Sequence, residues 1–334
     1  MKHVFKKLFV TLLPLLFLVS TGCEVQKTQI AYTSYPIGYL IKRIGGDAVH
    51  AVSIQNDEST IQVATLKEDY VTILENSEVF FHVGDVEPYN IIAERFVKDG
   101  VIKDGDLSGL NAIYLNQRYI PVYEGSRIVS YLERPYYTQD TFESIDMTYF
   151  DLNLWIHPIT MLSMADSIYH RLVDLYPDLV NTFKENFDYL KLDLVRLDAQ
   201  YQKLSERMQE NNSEIKFVST TNSFGSWQKA YGVQVYPLVL SQYGVLPSEA
   251  QLEYMKQRIM MDNVKYFAYE SNLNDPMNEL ALSIIEELGL VRVDLNNISS
   301  LTQAQLEGNK DYLTLMYENL AALDTMLTSR EGLN

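Results

Sequence analysis

Cysteine is nearly absent: the 334 residues contain one, Cys23. That excludes a disulfide framework and any zinc or iron–sulfur centre built on cysteines. Basic residues are also few, 27 Lys and Arg against 44 Asp and Glu, for a net charge of −17. Phosphate binding needs a basic surface, so nucleic acid is not expected as a partner. Beyond the first two dozen residues no stretch approaches the ~18 apolar residues of a membrane span. There is no Gly-x-Ser-x-Gly elbow, no phosphate-cradling glycine loop, no His-Glu-x-x-His and no Cys–His pair. With Asp and Glu too plentiful to single out a catalytic pair, no enzyme is expected. What is present is an ordinary 47% of apolar residues, enough for a large core, in a chain long enough for two domains or one large one. The 24 tyrosines are scattered and point to no chemistry by themselves.

The N-terminus reads as an export signal. Lys2, Lys6 and Lys7 precede an uncharged apolar run from Leu8 to Val19, too short to span a bilayer and suited to a signal-peptide core. Ser20, Thr21 and Gly22 then lead to Cys23. The pattern resembles a bacterial lipoprotein signal, in which residues 1–22 are removed and the cysteine is acylated. It departs from that pattern at Ser20, where leucine is usual. A plain secretory signal with an incidental cysteine is the alternative.

Strand and helix patterns alternate through the rest. Residues 29–34 read as a strand that stops at Tyr35-Pro36, and Ile37 to Ile44 has helical spacing closed by Gly45-Gly46. Residues 49–54 and 78–83 are strands, with helices over 67–76 and 89–98. Residues 105–150 are polar and irregular. Further on, Phe183, Phe187, Leu190, Leu194, Leu197, Tyr201, Leu204 and Met208 recur at spacings of four and three, the seam of one long helix of about 28 residues. An interchain coiled coil is the alternative to packing within the chain's own body. A second βα series follows: strands at 215–219, 233–236, 265–270 and 290–295, a capping box at Ser248 and Gln251, and a final helix over 310–328. The expected fold is two α/β lobes with mainly parallel sheets bridged by the long helix, with a cleft between them. The expected division is an N-terminal lobe over 23–180, the linking helix over 181–210 and a C-terminal lobe over 211–334.

Four segments carry a resemblance. Thr33-Ser-Tyr-Pro-Ile37 with Ile44-Gly-Gly-Asp47, Phe81-His-Val-Gly-Asp-Val-Glu-Pro88, Asp151-Leu-Asn-Leu-Trp-Ile-His-Pro158 and Ser219-Thr-Thr-Asn-Ser-Phe-Gly225 together resemble the zinc- and manganese-type substrate-binding lipoproteins of bacterial ABC transporters. The third is similar to the family's Asp-Pro-His-x-Trp-Leu-x-Pro signature and the fourth to its Thr-x-His-x-Ala-Phe-x-Tyr segment. The resemblance implies a monomer tethered by lipid to the outer face of the cell membrane, an ABC permease as partner, and zinc or manganese as transported ligand.

It also implies a metal held between the lobes by histidines and a carboxylate. Carried over by position, those ligands fall on Thr60, Asn153, Asn222 and Asn296, with Asp294 the alternative for the last. A neutral carboxamide cannot deprotonate to balance a dication, and calcium wants carboxylates beside any amide oxygen. Retained metal binding through substitutes, a polar small molecule in place of metal, and a degenerate surface lipoprotein that binds a protein partner all stay open. His82, His157, Glu270 and Asp294 are the candidate substitute ligands, and Gln62, Tyr35 and Tyr269 the candidate cleft neighbours.

Overall fold

The computed structural model describes residues 29–56, 59–110, 113–125 and 127–329. The expected signal segment and Cys23 lie outside them. The N-terminal lobe holds β1 (Gln29–Tyr32), α1 (Tyr35–Gly45), β2 (His50–Ser53), α2 (Tyr70–Glu75), β3 (Ser77–His82), α3 (Asn90–Lys98) and β4 (Lys103–Asp106). Its sheet is wholly parallel, in the order β2-β1-β3-β4. A hairpin follows, β5 (Gln117–Glu124) and β6 (Arg127–Pro135), then the helices α4 (Pro158–Leu175) and α5 (Val180–Glu210). After the two-residue β7 (Ser213–Glu214), the C-terminal lobe runs β8 (Lys216–Thr221), α6 (Ser226–Tyr231), β9 (Gln234–Val239), α7 (Glu249–Met261), β10 (Tyr266–Tyr269), α8 (Asp275–Leu288), β11 (Val291–Asp294), α9 (Gln303–Glu307), α10 (Tyr312–Thr325) and β12 (Thr328–Ser329). Its sheet is also parallel, in the order β11-β10-β8-β9. Both sheets are laid down alike: the second strand takes one side of the first, and the third takes the other. Strand direction reverses its progress at the first strand of each, so both lobes offer their switch-point crevice at the C-terminal ends of the strands.

The long helix forms as the spacing predicts and is longer, 31 residues, or about 46 Å at 1.5 Å per residue. Every residue of the seam is buried in the chain's own core, so the coiled-coil alternative is not needed to cover it. That core is continuous. Ile37, Leu40, Trp155 and Ile168 from one side of α5 share a cluster with Phe217, Trp227, Leu295 and Tyr312 from the other. Lobes that share a core along a rigid rod have little freedom to hinge. The capping box forms as read: the Ser248 hydroxyl accepts from the Gln251 N–H and the Gln251 side chain accepts from the Ser248 N–H. Asn274 caps α8 through the Met277 N–H, and Gly289 ends that helix at φ +62°.

Residues 105–150 depart from expectation. They are ordered into β4 and the hairpin, and the hairpin leaves the N-terminal lobe for the C-terminal one. Arg118 donates to Gln234, Asp262 and Tyr236, Tyr137 donates to the Pro237 carbonyl, and Tyr136, Tyr137 and Phe142 join the core of Val218, Tyr236 and Phe267. The hairpin, which falls within the expected lobe 23–180, thus packs against residues beyond 211. The polar, aromatic-rich sequence of the segment hid this, because its apolar partners come from the other lobe.

Candidate functional site

The two sets of strand ends face each other across the cleft. On the N-terminal side Thr33 and Ser34 leave β1, and Thr60, Ile61 and Gln62 form a turn of 3-10 helix, Ile61–Val63, with Thr60 at its N-cap. All but Ile61 are polar and all are buried. On the C-terminal side Asn222 and Ser223 leave β8 and Glu270 leaves β10, buried as well. Four contacts draw the sides together. The Tyr35 N–H donates to the Ser299 carbonyl at 3.3 Å, Trp155 Nε1 to the Asn297 carbonyl at 2.8 Å, and Trp227 Nε1 to the Ile156 carbonyl at 2.9 Å. The fourth is steric: Gly244, at φ +68°, lies so near Val63 and Met277 that an added Cβ would come within 2.8 Å of each. A side chain there would have to displace the Val63 and Met277 side-chain ends, and the left-handed backbone favours glycine in any case.

Between the lobes lies a cavity of about 20 Å³, lined by Ile61, Gln62, Val86, Leu115, Phe150, Leu152, Asn153, Asn222 and Gln242. That is room for a single water-sized species. Of the positions carried over from the resemblance, Asn153 and Asn222 meet at this cavity and Thr60 adjoins it through Ile61. Asn296 does not join them. Its backbone N–H and side chain bond to Asn319, and its Oδ1 accepts from Gln305, so it faces α9 and α10. Its neighbour Asn297 points inward instead, donating to Glu270 at 2.7 Å and to Asn272 at 2.8 Å.

The substitute ligands are held elsewhere. His82 stacks on Phe80 and places Nε2 3.0 Å from Asp104, outside the cavity lining. His157 stands at the N-cap position of α4, with Nδ1 2.9 Å from the Thr160 hydroxyl and Nε2 3.8 Å from Asp198 on the long helix. Burial pulls its pKa down and Asp198 offsets part of that. Glu270 is buried, which pushes its pKa up, but its oxygens accept from the Thr221 N–H, the Thr221 hydroxyl and Asn297. Asp294 is exposed and pairs with Arg292. The four are not brought together, and among the described residues there is no group of three or more His, Cys, Asp or Glu that could hold a metal ion.

Two buried acids are sequence neighbours of lining residues, Asp151 between Phe150 and Leu152 and Glu87 after Val86. Asp151 accepts from the Asn153 N–H at 3.0 Å and from Asn153 Nδ2 at 2.9 Å. Burial pushes its pKa up to about 6, and the Asn153 donors and the Ser226 N–H hold it below what burial alone would give. Glu87 is buried beside Thr33 and His82, and its pKa is pushed up to about 7 by desolvation. Sequence reasoning missed Asn116 and Gln242 because they come from the unread segment and from the loop after β9.

The model of the family "zinc-uptake complex component A, periplasmic" matches residues 30–326. The chain belongs to that family. The zinc-binding lipoprotein AdcA of Streptococcus pneumoniae serotype 4 is 27% identical over 184 residues, 55% of this chain and 35% of that protein. The high-affinity zinc uptake system protein ZnuA of Bacillus subtilis is 23% identical over 177 residues, 53% of each. The chain thus spans about a third to a half of the curated relatives it matches. The periplasmic zinc-binding protein TroA from Treponema pallidum shares the fold, with a TM-score of 0.70 and 16% identity over 90% of this chain and 99% of that one. The family is one of solute-binding transport proteins, and its two-lobed α/β fold is the one expected from the sequence.

Proposed function

We propose that this chain is the extracytoplasmic solute-capturing component of an ABC uptake system, a monomer held at the outer face of the cytoplasmic membrane by lipid on Cys23, which delivers its solute to a permease. Family membership supports the transport role, and the lipoprotein-like pattern around Cys23 supports the anchor. The observation that carries the capture site is the cavity between the lobes, lined by Asn153 and Asn222, each of which has a buried side-chain oxygen with no hydrogen-bond partner among the described residues. Buried polar atoms are normally paired, so oxygens left open at the junction of two switch-point crevices mark a seat for a ligand.

The relatives named above are zinc binders. Zinc is bound by thiolate, imidazole or carboxylate, and manganese sites lean on carboxylates among their oxygen ligands. The cavity wall offers carboxamides; of the two nearby acids, Asp151 accepts from Asn153, while neither Glu87 oxygen has a hydrogen-bond partner among the described residues. These residues do not fit either metal as cargo. Labelling with radioactive palmitate, in the parent and in Cys23→Ala, tests the anchor; co-purification with a permease and ATPase in mild detergent tests the transport role. A chain that takes no label and captures no membrane component contradicts the proposal.

A further inference from the structure

We propose that the chain rests on the bilayer through the solvent face of its long helix: Tyr189, Leu192 and Val195, with Lys191 and Arg196 beside them, lie on an anionic phospholipid surface, and the cleft opens away from it. The inference rests on the lipid anchor at Cys23 and names the surface that the anchor brings down. Cys23 and Gln29 are six residues apart, a span of at most about 22 Å however the chain runs. Gln29 opens β1 and pairs with His50 and Ser77, the first residues of β2 and β3. The sheet is parallel, so these strand starts lie at the end of the N-terminal lobe opposite the strand ends that face the cleft. The last turn of α1 returns to that same end, and there the long helix meets it. Asn186 Nδ2 donates to the Ile44 carbonyl at 2.9 Å, and Arg43 pairs with Asp193 at 2.8 Å. The tether therefore leaves beside this stretch of α5 and away from the cleft.

Leu192 stands on the side of α5 opposite the buried seam, with Tyr189 and Val195 about one turn to either side. Tyr189 is 61% exposed, Leu192 45% and Val195 43%. Lone exposed apolar residues are ordinary; three along one side of a helix, over about two turns, form a strip. The other exposed residues between 189 and 196 are Lys191 and Arg196, and no acid is among them. The adjoining acids are engaged, Asp188 with Lys184 and Asp193 with Arg43. The chain as a whole carries −17, which an anionic surface repels. This strip carries two cations that such a surface attracts, each strengthening binding about fivefold. Tyrosine favours the headgroup level, and lysine and arginine stems lie along apolar material while their charges stay wet. The contact can be weak, because a tether makes it intramolecular and raises its effective concentration.

The test uses the chain from Cys23 onward, which keeps every described residue, with its one cysteine coupled to a maleimide lipid in vesicles of brominated phosphatidylcholine and phosphatidylglycerol. Trp155 and Trp227 are fully buried, so a tryptophan placed at the surface reports contact with bromine above a constant background. Tyr189→Trp and Leu192→Trp place it in the strip. Tyr243→Trp places it in an exposed position between Gln242, which lines the cleft cavity, and Gly244, which meets Val63. Thermal melts confirm that each variant folds. The expected result is quenching of the first two variants and none of the third. In uncoupled chain, Lys191→Gln and Arg196→Gln each weaken lipid titration of the Leu192→Trp quenching about fivefold. No quenching in the strip overturns the inference, as does quenching of Tyr243→Trp to the same degree. Quenching indifferent to both glutamine substitutions overturns the anionic surface. An emission shift that needs no lipid and grows with protein concentration assigns the strip to a second copy and overturns the inference as well. Because the coupling is chemical, these outcomes are independent of acylation at Cys23 in the cell, which palmitate labelling reads separately.

Discussion

Glu87 gives a prediction that can be worked through from the structure. Its carboxyl is buried beside Thr33 and His82, and desolvation pushes its pKa from the ordinary 4.5 to about 7. In the unfolded chain it titrates near 4.5; folded, it keeps its proton until about 7. Between those values the folded state carries the extra proton, so stability falls as pH rises from 4.5 through 7 and levels off above. At about 1.4 kcal/mol per pH unit, the shift is worth about 3 kcal/mol across the window. Glu87→Gln replaces the acid with a neutral amide of the same shape and removes that dependence. Relative to the parent, the variant gains about 2–3 kcal/mol at pH 8 and gains nothing, or loses up to about 1 kcal/mol, at pH 5. Urea unfolding of both proteins at pH 5, 6, 7 and 8 gives the difference directly, and contributions common to both cancel. A difference that is flat with pH, or that grows as pH falls, would falsify the account of Glu87 as a buried acid that folding forces towards its neutral form.

Gly244→Ala adds a Cβ against Val63 and Met277 at a left-handed backbone position; it should cost about 1–3 kcal/mol in urea unfolding and increase hydrogen exchange around Gln62. Leu194→Ala, in the fully buried seam of the long helix, should cost about 2–5 kcal/mol and leave the chain monomeric in analytical ultracentrifugation; a dimer in the parent that the variant loses contradicts the packing. Arg118→Met removes the side chain that ties the hairpin to Gln234, Asp262 and Tyr236. It should cost about 2–4 kcal/mol and speed proteolysis within residues 113–146; an unchanged cleavage pattern argues that the aromatic packing alone holds the segment.

The long helix was legible because its partners impose a strict periodicity: a rod buried along one stripe must repeat apolar residues every three or four positions, and nothing else in the chain does so for as long. The two parallel sheets were legible for a related reason, since strands covered on both faces read as short apolar runs between helices. The hairpin was not. It is an antiparallel ribbon with one half-exposed face, and the lobe that covers it is distant in sequence. In the cleft, Asn153 and Asn222 line one cavity while Asn296 does not join them. Past the end of β11 the chain turns, and adjacent side chains there point to opposite sides. Asn296 therefore faces α10 while Asn297 faces Glu270, a difference that no spacing argument at a strand end resolves. His157 and His82 looked available because a sequence does not show that Thr160 and Asp104 already engage them.

The most direct test of the central claim is metal analysis of the purified chain after chelation, followed by calorimetric titration of zinc and manganese. An inter-lobe site walled by Gln62, Asn153 and Asn222 predicts no stoichiometric metal and no saturable binding in the micromolar range. One zinc or manganese per chain, bound below micromolar and lost in Asn153→Leu or Asn222→Leu, would contradict it.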